Sequence, residues 1–218
     1  MKMFASRAAV GFLTAVAAVS CRAADVASRP PLVQPGAPGE SSRVIAADKA
    51  VDLSRVQSTA ADVKFMQGMI AHHAQALDMT ELLHSRTNSD DMRKLAMRIE
   101  VGQADEIKMM QHWLEIRRQE VPGPHAHHMG MLMPGMLTPE EMARLASAKG
   151  AEFDRLFLEG MIKHHGGALV MVKDLFATPG AAQESDIFAF ASDVDADQRM
   201  EIERMGAMLG TMLKERQK

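Results

Sequence analysis

Two stretches of this 218-residue chain carry the same chemistry-bearing pattern, 92 residues apart. The first reads Asp62-x-x-Phe65-x-x-x-Met69-Ile70-x-His72-His73-x-x-Ala76-Leu77-x-Met79. The second reads Asp154-x-x-Phe157-x-x-x-Met161-Ile162-x-His164-His165-x-x-Ala168-Leu169-x-Met171. Imidazole suits both copper oxidation states, and thioether selects soft ions such as Cu(I). Between the copies lies Pro124-His125-Ala126-His127-His128-Met129-Gly130-Met131-Leu132-Met133-Pro134-Gly135-Met136, with three His and four Met in twelve residues. Methionine has little structural use in an exposed Pro/Gly-flanked loop, so His125, His127, His128, Met129, Met131 and Met133 argue for copper over zinc or iron. Cu(I) is favoured, and Cu(II) can also be held.

These residues need elements to position them. The stripe 62, 65, 69, 72, 76, 79, 83 advances in steps of three and four, which is one seam of a helix facing a bundle interior. Residues 154, 157, 161, 164, 168, 171 and 175 repeat it. A lone core His or a Met stripe is ordinarily packing; two copies in register argue for more. A weaker repeat follows each motif, Gln103-x-x-Glu106-Ile107-x-x-Met110 against Gln198-x-x-Glu201-Ile202-x-x-Met205. An ionised Glu inside a bundle is costly unless paired or metal-bound, so Glu106 and Glu201 are expected to fix ligating imidazoles from behind.

The pattern predicts four long helices, at about 60–84, 89–119, 151–177 and 182–217. A short helix precedes the third, announced by the cap and first turn Thr138-Pro139-Glu140-Glu141. The fold class is therefore all-α, two repeated hairpins (about 59–119 and 151–217) closing a four-helix bundle over 59–218, with the His/Met loop at 125–136. A pseudo-twofold axis would bring the motifs together, so that Met69, His72, Met161 and His164 serve one shared site. Neighbouring side chains on a helix point about 100° apart, which disfavours the alternative of one site per His-His pair.

Lys2 and Arg7, the apolar run 8–19 and the small residues up to 23 have the layout of a signal peptide. Cys21 offers a lipid-anchor point if the preceding residues act as a lipoprotein box. Residues 24–58, broken by four prolines, read as a disordered tether. The expected location is periplasmic or extracellular, with anchoring at the outer membrane through Cys21 as a variant. No other segment is apolar enough to span a bilayer. The single Cys excludes an internal disulfide and thiolate metal sites. Twenty Met and nine His stand beside one Trp and no Tyr. With a net charge of −3, nothing suggests nucleic acid as a partner. Metal ions and other exported copper-handling proteins are the expected partners.

The doubled Asp-x-x-Phe and Met-Ile-x-His-His motif, with Gly135-Met136 and Gly150-x-x-Phe153-Asp154-x-x-Phe157-Leu158, resembles the bacterial family known as domain of unknown function 305. The resemblance spans about 59–215. It implies a ferritin-like bundle outside the cytoplasm, with members linked to copper and sometimes silver. Carried over by position, it implies Met69, His72, His73, Met79, Met161, His164, His165 and Met171 as metal ligands. The copies depart from each other at Asp78 against Val170 and Gln75 against Gly167. One competing reading is a di-iron carboxylate oxidase, which uses paired Glu-x-x-His motifs. Only Glu81-Leu82-Leu83-His84 fits, since its counterparts are Lys173 and Phe176. Another is a metal-free bundle that binds a protein partner. No nucleophile–base set or phosphate loop stands out, so enzymatic turnover is not expected.

Overall fold

The computed structural model describes residues 32–34, 43–45, 57–123 and 132–215. The chain divides into two units, 1–52 and 53–218. In the first, Leu32–Gln34 (β1) pairs antiparallel with Arg43–Ile45 (β2), Val33 standing opposite Val44. Two β-branched residues at the centre of the ladder suit a pleated pair. This short ladder falls inside the stretch read from its prolines as a tether. The signal segment and Cys21 lie outside the described residues.

The second unit holds five helices: α1 Ala60–Arg86, α2 Asp90–Ile116, α3 Pro139–Ser147, α4 Gly150–Ala177 and α5 Ser185–Glu215. Their starts follow from capping chemistry. Thr59 and Asp62 exchange side-chain and backbone hydrogen bonds in a capping box at α1, and Thr138 and Glu141 do the same at α3. The Ser89 hydroxyl accepts the Met92 N–H at α2. Two ends differ from expectation. Helix α2 stops at Ile116 because Arg118 turns to φ +55° and the Gln119 N–H bonds back to the Leu114 carbonyl. Helix α5 starts at Ser185 because Ala182 adopts φ +53° and gives its N–H to Asp62 Oδ1 at 2.7 Å.

Helix α1 packs on α2 and α4 on α5, forming two hairpins joined through an α1–α4 contact. Helices α2 and α5 make at most marginal backbone contact, so that side of the bundle stays open as a cleft. Every residue of the first seam is buried, from Asp62 to Leu83; in the second, all are buried except Met171. One apolar cluster gathers around Phe65, Met69, Trp113 and Phe190, the other around Met79, Leu83, Phe157 and Met161. No helix among the described residues is long and apolar enough to cross a membrane.

The repeated aspartates hold the halves together. Asp62 ties the α4–α5 turn at Ala182. Asp154, in the other copy, is bonded by Thr87 in the α1–α2 turn, and burial raises its pKa despite that bond and nearby Arg93. Each aspartate thus secures the turn of the opposite hairpin.

Candidate metal centre

The α1–α4 contact brings the two mid-helix histidines together. The His72 and His164 rings lie 3.8 Å apart between centroids with 35° between their planes. His73 is 6.3 Å from His72, and His165 is 6.1 Å from His164. All four are buried. They are held in two ways. His73 Nε2–H donates to Glu106 Oε2 at 2.5 Å, and His165 Nε2–H to Glu201 Oε2 at 2.6 Å. The stacked pair turns to backbone instead. His72 Nε2–H donates to the Pro134 carbonyl at 3.0 Å, and His164 Nε2–H to the His72 carbonyl at 2.9 Å.

All four acceptors are carbonyl or carboxylate oxygens, which cannot donate, so each ring carries its proton on Nε2. In the neutral form of each ring the lone pair therefore sits on Nδ1, and all four Nδ1 atoms are buried without a hydrogen-bond partner. Four orphaned buried acceptors in one place are exceptional in a folded protein. They are also the atoms that a metal ion would use. Burial lowers the pKa of His72 from 6.5 to about 3, with His73 and His165 acting in the same sense against the Pro134 bond. Burial, then His72, His165 and His73, push His164 well down too. Both rings stay neutral at ordinary pH.

Met69 and Met161 are fully buried one turn before the stacked rings. Among the described residues no three His, Cys, Asp or Glu side chains are arranged to hold an ion. Met69 and Met161, on the same helix seams, are the side chains that could add sulfur donors to an ion at the His pair, which would make a soft-metal environment. Glu81 and His84 are both exposed, and His84 bonds Glu100 at 2.8 Å on the surface. The single Glu-x-x-His spacing thus faces away from the core.

Glu106 and Glu201 are only part-buried, where a fully buried pair was expected. They line the open α2–α5 side in a cleft of about 260 Å³ with Gln103, Gln198, Arg98 and Arg204. Burial, Glu106 and Glu201 raise the pKa of Asp197 in the same cleft. The carboxylates thus orient the outer imidazoles from a solvent-reached cleft.

The segment 132–138 covers the opposite side, and sequence reasoning missed the residues that seat it. Gln75 clamps Leu137 through both amide atoms, at 2.9 and 2.7 Å. Its repeat counterpart Gly167 lets the chain pass: a Cβ there would collide with the Pro134 carbonyl and come 2.6 Å from the Gly135 Cα. Gly135 itself has φ +76°, where a side chain is strained. The departure of Gln75 from Gly167 was visible as a signal, though not its meaning. Met79 is sealed in the core, whereas Met171 is half-buried beside Met133. His125, His127, His128, Met129 and Met131 lie outside the described residues.

Comparisons with known proteins bear on the family and the fold. The model of the family described as Domain of unknown function (DUF305) matches residues 62–209. A protein from Streptomyces coelicolor, described as secreted and of the same family, has 30% identity, covering 70% of this chain and 93% of that one at a TM-score of 0.62. A family fragment from Deinococcus radiodurans has 29% identity over 71% of this chain and 98% of its own, at 0.61. CopM in its Cu(I)-bound form has 28% identity over 71% and 98%, at 0.55. CopM has also been solved with Cu(II) and with silver bound. Among curated proteins, none matches the chain.

Proposed function

We propose, from the premise that the chain belongs to the DUF305 family, that it is an exported, non-enzymatic protein that sequesters or transfers copper. Silver would bind in the same way. The observation that carries this reading is the set of four buried Nδ1 atoms without hydrogen-bond partners around the His72–His164 stack. His72 and His164 supply imidazole nitrogens and Met69 and Met161 supply thioethers, while Glu106 and Glu201 hold the outer rings His73 and His165 in place. The Cu(I), Cu(II) and silver complexes of CopM support the class of ion. The secreted relative and the N-terminal charge and hydropathy pattern support export.

Competition titrations with Cu(I) and Cu(II) chelators, with metal analysis of the product, test the reading. His72→Ala and His164→Ala should each remove the same tightly held ion, and the double variant should lose little more, because residues acting as one unit are not additive. Loss of two separate ions would replace the shared site with one site per half. Absence of tight copper or silver binding by the wild-type chain would overturn the function itself.

A further inference from the structure

The two central helices cross at glycines that occupy equivalent positions of the repeat. A Cβ on Gly160 would lie 3.3 Å from Met79 Cε, and one on Gly68 would lie 3.5 Å from Met171 Cε. Met79 and Met171 are themselves counterparts, so each copy's glycine receives the other copy's methionine. The second neighbour breaks the symmetry. Over Gly160 it is Leu137, whose Cδ2 would stand 3.1 Å from the added carbon; over Gly68 it is Met133, whose Sδ would stand at 3.3 Å.

The consequences for exposure differ. Leu137 and Met79 are 4% and 0% exposed. Met133 and Met171 are half-buried and line an open groove of about 620 Å³ with Gly68, Lys64, Gln67 and Asp174. One crossing is closed by a leucine and a fully buried thioether, and the other presents two thioethers to solvent. Thioethers select soft ions and carry no proton to lose. Pro134 lines the same groove, and its carbonyl is the oxygen that His72 bonds. A pull on Met133 therefore acts on the segment that covers the stacked rings.

We propose that Met133 and Met171 form a surface capture site for a soft monovalent ion, Cu(I) or Ag(I), that feeds the buried imidazoles. The proposal rests on the functional reading above. A two-sulfur site open to water binds more weakly than the core, fills first, and releases inward.

The test uses the full chain labelled with [methyl-13C]Met and Ag(I) as a redox-inert probe. Ag(I) added beyond the equivalent that fills the tighter core should shift the two methyl signals that Met133→Leu and Met171→Leu identify. In stopped-flow mixing, those variants should lose the fast phase and fill the buried site roughly tenfold more slowly, within the range over which association rates vary among variants of one site. Gly68→Leu, which keeps both sulfurs but fills the groove, should slow uptake similarly, and circular dichroism reports whether each variant is folded. Met97→Leu, at an exposed methionine, should keep the wild-type rate. Unchanged filling rates in all three groove variants would overturn the capture site while leaving the buried site standing. A wild-type chain that binds neither Ag(I) nor Cu(I) would overturn both.

Discussion

The two halves of the helical unit begin from one motif and meet different surroundings. The outer imidazoles remain equivalent, with His73 bonded to Glu106 and His165 to Glu201 at nearly the same distance. On the opposite side the equivalence fails. The first half offers Gln75 to clamp Leu137 and seals Met79, whereas the second offers Gly167 as a passage and leaves Met171 open beside Met133. The cause is covalent: a duplicated unit has one connection between its copies, and that connection crosses one set of surroundings only once. Symmetry therefore survives where the repeats face each other, and is lost where the connection lies.

The largest test of this comparison is at Gly167. An added Cβ meets backbone rather than a flexible side chain, so Gly167→Ala should cost about 3 kcal/mol or more, above the usual range for overpacking. A urea midpoint within experimental error of wild type would show that the segment does not depend on this passage.

Acidification comes next and probes the shared rings. The pKa of His72 is about 3 in the fold against 6.5 in the unfolded chain. Above pH 6.5 the ring is neutral in both states and costs nothing. Below it the unfolded chain takes up a proton that the folded chain refuses, so stability falls with pH until about pH 3. His72 alone gives a slope of at most about 1.4 kcal/mol per pH unit, and His164 acts in the same direction. Urea midpoints of the metal-free protein at pH 7 and pH 5 check this. His72→Ala and His164→Ala should flatten the dependence, and a slope unchanged from wild type in both variants would place its origin elsewhere.

Gln75→Leu removes both bonds to Leu137 and leaves its buried N–H and carbonyl unpaired, at a cost of about 2 kcal/mol. Its effect should fall on the loop, read as faster amide exchange at Leu137. The smallest effect is expected at Gly68. Alanine there removes the backbone-entropy penalty of a mid-helix glycine, worth up to about 1 kcal/mol. The atom it approaches is the mobile sulfur of Met133 at 3.3 Å, so Gly68→Ala should raise the melting temperature slightly. Lowered stability would mean that Met133 cannot give way.

Much of this protein was legible before folding. Alternating steps of three and four marked both seams, and side chains at such spacing must share a helix face. Thr138-Pro139-Glu140-Glu141 marked the start of α3 because capping is local chemistry. The box at Thr59 and Asp62 is equally local, although Asp62 read first as a seam residue. The positive-φ turns at Arg118 and Ala182 were not legible, because each is held by contacts formed only in the folded chain.

The candidate site divides in the same way. Sequence by itself determined which residues share a face, that two copies exist, and that imidazole, thioether and carboxylate occur at matched positions, because these are properties of spacing along a helix. Only the tertiary structure decided that His72 and His164 stack, and that their Nε2 atoms are spent on backbone carbonyls, leaving Nδ1 free. It alone decided that Met171, packed at the edge of the core, also borders the groove beside Met133. Those outcomes depend on where one chain segment crosses another, and no spacing within a helix carries that information.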